Sequence, residues 1–298
     1  MNEHVLIAHR EAAPLVGAEA RDAARAALAG LASGALVAFL GPGALSGCEG
    51  AEAIPLTPEA LAFELNRRHP SPSRIRKDPW AVAQFIEQRR HRKTLALFMT
   101  EIFKPNVAPS LLHLWLAAAR PPLIVDAWYD GAMREALARV SPKGADWGEI
   151  QGVTRAVDAD AQWWKTYNAS SERVSDSVSE GWRTALYKPH GAVLPAGEAL
   201  VADSDYVEVL TEIDIQTPIP DIVRQRREGR GFVFIGCRFH DQMLRTYARQ
   251  IVKRSGGGHF ALVEPDLLTT NERRFFAAEG ITPMDISLAD FTALLPPI

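Results

Sequence analysis

Three short segments of this chain carry residue types that can do chemistry together. Gly41-Pro42-Gly43-Ala44 closes the apolar run of residues 35–40, Asp126-Ala127-Trp128-Tyr129-Asp130 follows Leu123-Ile124-Val125, and Lys188-Pro189-His190-Gly191 ends a run that starts at 184. Glycines at the end of a buried strand let backbone come close to a phosphate, and neighbouring amides can donate to it. Pro42 removes one of those donors. An imidazole can take a proton from a ribose hydroxyl near neutral pH. A phosphate corner and a positioned imidazole together suggest chemistry on a nucleotide.

Each segment also has a plainer reading. Gly-Pro-Gly is ordinary composition for a strand-ending turn. Asp126 or Asp130 can orient a ribose or hold a water, and Trp128 can stack on a flat base. Equally, Asp130 can cap the next helix while Trp128 fills core. A histidine between proline and glycine can be a structural hydrogen-bonder. Two later segments extend the series. Gly236 can admit a ribose or phosphate beside Cys237, Asp241 can cap the following helix, and Glu264 can accept from a ribose or an adenine, or face solvent. The run Arg89–Lys93 reads as an exposed helix end.

The elements that must position these residues alternate along the chain. Strands are predicted at 35–40, 123–125, 184–188, 232–235, 260–263 and 281–284. Helices are predicted at 19–32, 58–68, 80–90, 94–103, 109–119, 131–139, 204–213, 219–228, 240–253 and 268–278, with a last one capped at Ser287. Thr57-Pro58 and Asp78-Pro79 are start signals, a capping side chain followed by proline at the first helical position. Such alternation predicts an α/β fold, a Rossmann-like parallel sheet with helices on both faces. One domain over 1–298 is expected, with a helical insertion at about 57–119. A less regular, Trp-rich insertion is expected at about 141–182, as a small helical or irregular lobe with short strands. In parallel sheets ligands sit beyond the carboxyl ends of the strands. Gly41, Asp126, His190, Gly236 and Glu264 all fall at such ends, so five loops are expected to meet on one rim.

Bulk properties narrow the classes. The chain has 298 residues, 47% hydrophobic and 23% charged, which is ordinary for a globular protein. A formal net charge of -3 gives no basic footprint for nucleic acid. No signal-peptide core or membrane-length apolar run is present, so a cytoplasmic protein without a membrane partner is expected. Cys48 and Cys237 are the only cysteines, too few for a disulfide framework or a four-thiolate metal site, and no metal is expected.

In this order, the segments resemble the sirtuin-like NAD-binding family, and its bacterial NAD hydrolase-type branch more closely than the protein deacetylases. The similarity runs over roughly 30–295, with 141–182 least alike. Residues 36–44 stand where the family has an apolar strand followed by Gly-Ala-Gly, and Ile54-Pro55 with the helix after it matches the continuation. Residues 123–130 align with a strand ending in Thr-Thr-Asn-Tyr-Asp. Lys188-Pro189-His190-Gly191 matches the element that carries the family's catalytic histidine. Asp205-Tyr206, the strand into Gly236, Asp241 and residues 260–264 complete the series.

The resemblance implies NAD as substrate or ligand, with the nicotinamide–ribose bond as the reacting site. It implies His190 as the catalytic base and keeps Asp130, and Asp126 or Asp130 would take the place of the family's orienting Asn. Gly41, Pro42, Gly43, Ala44, Trp128, Gly236, Cys237, Asp241 and Glu264 would bind the dinucleotide. Trp128 stands where the family has an Asn that orients ribose or water, and an indole cannot accept a hydrogen bond as a carboxamide does. Pro42 replaces the middle residue of the glycine turn, and the serine expected just after that turn is Leu45, with Ser46 one place later. The deacetylases' zinc cysteines have no counterpart. NAD hydrolysis is therefore one expectation. A catalytically degenerate nucleotide-binding module, or a sensor or partner-binding subunit whose partner is another protein or a second copy of itself, is the other.

Overall fold

The structure, a computed structural model, describes residues 11–142, 144, 146–153, 162–212 and 219–297. Its frame is a nine-stranded sheet. In chain order the strands are β1 (Leu36–Leu40), β2 (Leu123–Asp126), β3 (Trp147–Gly152), β4 (Trp164–Asn168), β5 (Arg173–Val174), β6 (Thr184–Lys188), β9 (Gly231–Ile235), β10 (His259–Val263) and β11 (Ile281–Asp285). The spatial order is β11-β10-β9-β1-β2-β6-β3-β4-β5. All neighbours are parallel except β3/β4 and β4/β5. Two short strands, β7 (Gly191–Ala192) and β8 (Glu198–Ala199), form a separate hairpin directly after His190.

Side-chain alternation sorts the core into two layers, as a strand's period of two requires. Val37, Phe39, Leu123, Val125, Phe232 and Phe234 face one side. Ala38, Leu40, Ile124, Val233 and Ile235 face the other. The first side is covered by the helical layer α2 (Pro58–Arg68), α3 (Pro79–Arg90) and α4 (Arg92–Phe103), and by α9 (Gln242–Val252). The second is covered by α1 (Gly17–Ser33), α5 (Leu111–Ala119), α6 (Ala132–Val140) and the last helix, α11 (Leu288–Ala293). Strands buried on both faces read as near-continuous apolar runs, and these do.

The predicted helix starts are found with their caps. Thr57 accepts from Ala60 N–H at 3.1 Å, and Asp78 accepts from Trp80 N–H and Ala81 N–H at 3.0 and 3.2 Å. Helices also form at α7 (Asp203–Glu212), α8 (Asp221–Arg227) and α10 (Thr270–Ala278). Position 213 of the helix expected at 204–213 lies outside the described residues, as do 143, 145 and 154–161 of the segment expected as a lobe. The rest of that segment differs from expectation: β3, β4 and β5 extend the main sheet past β6.

The reason is visible in β3. Glu149 and Gln151 are buried on an inner strand of the sheet, which no apolar pattern announces. Arg134 from α6 forms an ion pair with Glu149, and Gln151 donates to Glu149 at 2.6 Å and to Leu194 O at 2.8 Å. A buried polar group is tolerated when it is hydrogen-bonded, and these are.

Candidate functional site

The chain leaves β1 toward β2 and later returns to lay β9 on the opposite side of β1. The loops that follow β1 and β9 therefore diverge, and in open parallel sheets that divergence opens the binding crevice. A cleft of about 810 Å3 lies there. Gly41, Pro42, Gly43, Trp128, His190, Gly236, Cys237 and Glu264 all border it. Ala44, Asp126, Asp130 and Asp241 are not among its lining residues. Loops after β1, β2, β6, β9 and β10 thus share one cavity.

The glycine corner is built by two loops touching through bare backbone. A Cβ on Gly41 would come to 2.5 Å from Gly236 O, and one on Gly43 to 2.9 Å from the same oxygen. Gly236 has φ +66° and would place a Cβ 2.0 Å from Ala44 N. Gly41 N–H donates to Ile235 O at 2.9 Å, Gly43 N–H to Gly236 O at 2.9 Å, and Ala44 N–H to Gly41 O at 3.0 Å. The amides expected to cradle a phosphate are therefore spent holding the corner together, and Pro42 has none. The glycines are thus required by loop-on-loop packing, and Gly41, Gly43, Gly236 and Ser46 border the cleft.

At the other end of the cleft His190 is 4% exposed. Its Nδ1 lies 2.8 Å from the Tyr206 hydroxyl. The Tyr247 ring packs on the imidazole with centroids 4.5 Å apart, and the Tyr247 hydroxyl donates to Pro189 O at 3.0 Å. Tyr129 lies edge-on at 6.5 Å. Trp80, Trp128, Tyr129 and Tyr247 line the cleft around the ring. Burial, aided by the Lys188 charge, pushes the imidazole pKa down to about 3. His190 is neutral at pH 7, and Nε2 is the nitrogen left for the cleft.

Trp128 packs against Phe103 and Tyr129, and its indole N–H donates to Pro55 O at 2.9 Å. Its one polar group is thus committed to a backbone carbonyl, where the resemblance implied an orienting Asn. The two aspartates expected to replace that Asn lie behind the wall. Asp126 is 4% exposed; one oxygen accepts from Trp128 N–H at 3.2 Å and the other from Lys188 Nζ at 2.6 Å. Burial pushes its pKa up, to about 7, against the pull of Lys188. Burial also opposes the Lys188 charge, and the carboxylates of Asp126, Asp130 and Glu149 more than offset that, so the ammonium is held above its ordinary range. Asp130 is 5% exposed and accepts from Ala132 N–H at 2.8 Å, satisfying the first amide of α6 from the position before its N-cap, Gly131. Asp126 and Lys188 staple the ends of β2 and β6 together, Asp130 holds the start of α6, and neither carboxylate is on the cleft lining.

Asp241 likewise caps α9, accepting from Met243 N–H and Leu244 N–H at 2.7 and 3.3 Å. Burial pushes the Cys237 thiol up, and its sulfur contacts Phe39 O and Ile235 O. Glu264 is exposed on the lining. Sequence reasoning missed Arg238, which borders the cleft while pairing bidentately with Glu272 at 2.9 and 3.0 Å. Burial of Glu272 is outweighed by hydrogen bonds from Arg238, Thr269 N–H and Phe239 N–H, which take its pKa down to about 2. It also missed His240, bound to Glu59 of α2 at 2.9 Å across the same lining. Both follow Gly236 directly, so their place after a strand end was the available signal.

Among the described residues, no group of three or more His, Cys, Asp or Glu side chains is arranged to hold a metal ion. No helix among them is long and apolar enough to cross a membrane.

A mostly parallel sheet with helices on both faces, and a cleft where its winding reverses, define a Rossmann-like α/β protein. A family model described as a SIR2-like domain matches residues 122–284, more than half of the chain, and the chain belongs to that family. The matched span contains Trp128, His190, Gly236 and Glu264, while the corner at Gly41–Ala44 precedes it. No curated protein matches the chain.

Proposed function

We propose that this protein binds NAD in the cleft at the β1/β9 divergence and transfers its ADP-ribosyl group to water. The observation that carries the reading is the sharing of one cavity by His190 and the bare-backbone corner at Gly41–Gly43. The cleft size lies within the range usual for small-molecule and cofactor sites, about 300–1,000 Å3. Gly41, Gly43 and Gly236 border the cleft without side chains, which suits a close-lying pyrophosphate. With the corner amides already used, Arg238 is the cation on this lining and Ser46 a hydroxyl donor, so these side chains meet the phosphates. Glu264 accepts from a ribose hydroxyl.

In the reaction the C1′–N bond breaks and its electron pair leaves with nicotinamide. A water oxygen bonds to C1′, and the proton it gives up passes by way of His190 Nε2. Burial makes that imidazole an acceptor that orients a hydroxyl, and a poor store for the proton, which must move on to solvent. The aromatic walls exclude competing water and match a flat, cationic ring.

The test is nicotinamide release from NAD by the pure protein, followed by chromatography, together with calorimetric binding. We expect release, and its loss by about 10³-fold in His190→Ala with NAD affinity kept within about threefold. Release that survives this substitution rejects His190 as the acting group.

Trp128 supports a second reading, a binding module without catalysis, because its indole N–H is committed to Pro55 O. NAD binding with no release from the wild-type protein would leave that reading alone.

A further inference from the structure

We propose that Tyr206 is a positioning residue for His190: its hydroxyl holds the imidazole in the Nδ1–H form, so that Nε2 meets the cleft as a lone pair. The inference rests on the reading of His190 as the group that accepts the water proton.

Four groups form a closed cluster behind the imidazole. Tyr206 Oη lies 2.8 Å from His190 Nδ1 and 3.1 Å from Leu200 O, and Tyr129 Oη lies 2.8 Å from Leu200 O and 3.3 Å from Tyr206 Oη. Tyr129 and Tyr206 are buried. Leu200 is held in place by its own N–H, which donates to His190 O at 2.9 Å, so the carbonyl is anchored to the backbone it serves.

Counting protons decides the arrangement. A carbonyl oxygen has two lone pairs and can accept from both tyrosines. If both donate to Leu200 O, Tyr206 Oη is free to accept, and Nδ1–H donates to it. All three short contacts are then hydrogen bonds. If Tyr206 donates to Nδ1 instead, its oxygen faces Leu200 O at 3.1 Å with no proton between them. In a buried cluster such an unpaired contact is costly, so the first arrangement is preferred. The same choice leaves Nε2 without a proton, which is the form that can accept from a water or a ribose hydroxyl.

Tyr206 does not border the cleft, so it acts on a ligand only through the imidazole. Its ring sits 5.3 Å from that of His190 and edge-on to Trp80 at 5.0 Å, which fixes the hydroxyl direction.

The experiment reads the tautomer and the kinetics separately. In 15N-labelled full-length protein, two-bond proton–nitrogen correlations of the histidine rings, with His190 assigned by its disappearance in His190→Gln, report which nitrogen is protonated. We expect Nδ1–H in the wild type; an Nε2–H signal overturns the proposal without any variant. In Tyr206→Phe we expect a shift toward Nε2–H and a fall in kcat of about 10²-fold, with KM for NAD changed less than about twofold. A variant that keeps the Nδ1–H form and its kcat also overturns it. A merely structural role would lower the melting temperature and leave the tautomer in place. If the wild type shows Nδ1–H, Tyr206→Phe shifts it, and no nicotinamide is ever released, the positioning role stands and the hydrolase reading falls.

Discussion

At the His190 end of the cleft Trp80, Trp128, Tyr129 and Tyr247 line the wall, and the polar atoms behind it are paired in a closed set. At the Glu264 end the lining carries exposed or half-buried charge: Glu264 itself, Arg238 and the His240–Glu59 pair. Both ends stand on the same sheet and are reached by the same kind of loop, so the strand frame does not make the difference. It arises from what lies behind each loop. Behind His190 sit an ion pair and a tyrosine cluster with no access to water, whereas Arg238 is backed by one carboxylate and faces solvent. Low-dielectric surroundings magnify electrostatic effects, and exposure screens them. One end is therefore suited to holding a reacting group in a fixed state, the other to recognising the bulk of a ligand.

Substitutions should separate the two ends by magnitude. The largest effect on stability is expected behind His190. Lys188→Met leaves the Asp126 carboxyl buried without its partner and should cost about 3–5 kcal/mol by denaturant unfolding. A cost below about 1 kcal/mol would mean the pair is not the staple described.

Next is the pH dependence. The His190 pKa falls from an ordinary 6.5 to about 3 on folding, so between those values the unfolded chain takes up a proton that the folded one refuses. Stability is then unaffected above pH 6.5 and falls below it by ~1.4 kcal/mol per pH unit. Unfolding at pH 6.5 and pH 5 should show a loss about 2 kcal/mol larger in the wild type than in His190→Gln. Asp126 titrates with the opposite sign in part of this range but is present in both proteins, so the difference isolates His190.

The smallest effect on the fold is expected at the open end. Arg238→Gln should cost about 1–2 kcal/mol, less than Lys188→Met, since the arginine is partly exposed and the buried Glu272 keeps its hydrogen bonds from Phe239 N–H and Thr269 N–H. It should weaken calorimetric NAD binding about tenfold through loss of a charged donor. Equal effects of Arg238→Gln and Lys188→Met on stability would erase the contrast between the ends.

Much of this was legible in the chain. Strand ends, the Thr57-Pro58 and Asp78-Pro79 helix starts, and the meeting of five loops follow from local patterns of apolar runs, caps and breakers. What was not legible depends on partners distant in sequence. Asp126 reads as a candidate catalytic carboxylate until Lys188, 62 positions away, is seen to bind it. The amides at Gly41 and Gly43 read as phosphate donors until Ile235 O and Gly236 O take them. The strand at Trp147–Gly152 is masked by Glu149 and Gln151, whose polarity is neutralised from α6 and from Leu194 O. The tyrosines around His190 come from three separate elements, and nothing at the level of spacing announces that they converge.

Arg92, at the start of α4, binds Glu87 at 3.0 Å, Asp205 at 2.7 Å and the carbonyl of Ala199. Asp205 precedes Tyr206, and Ala199 precedes Leu200. One guanidinium therefore couples the helical layer over the cleft to both groups that set the imidazole's proton. The same layer meets α7 again through Trp80 against the Tyr206 ring and Gln84 Oε1 on Ser204 N–H, so the wall of the cavity and the support of its base are built as one block.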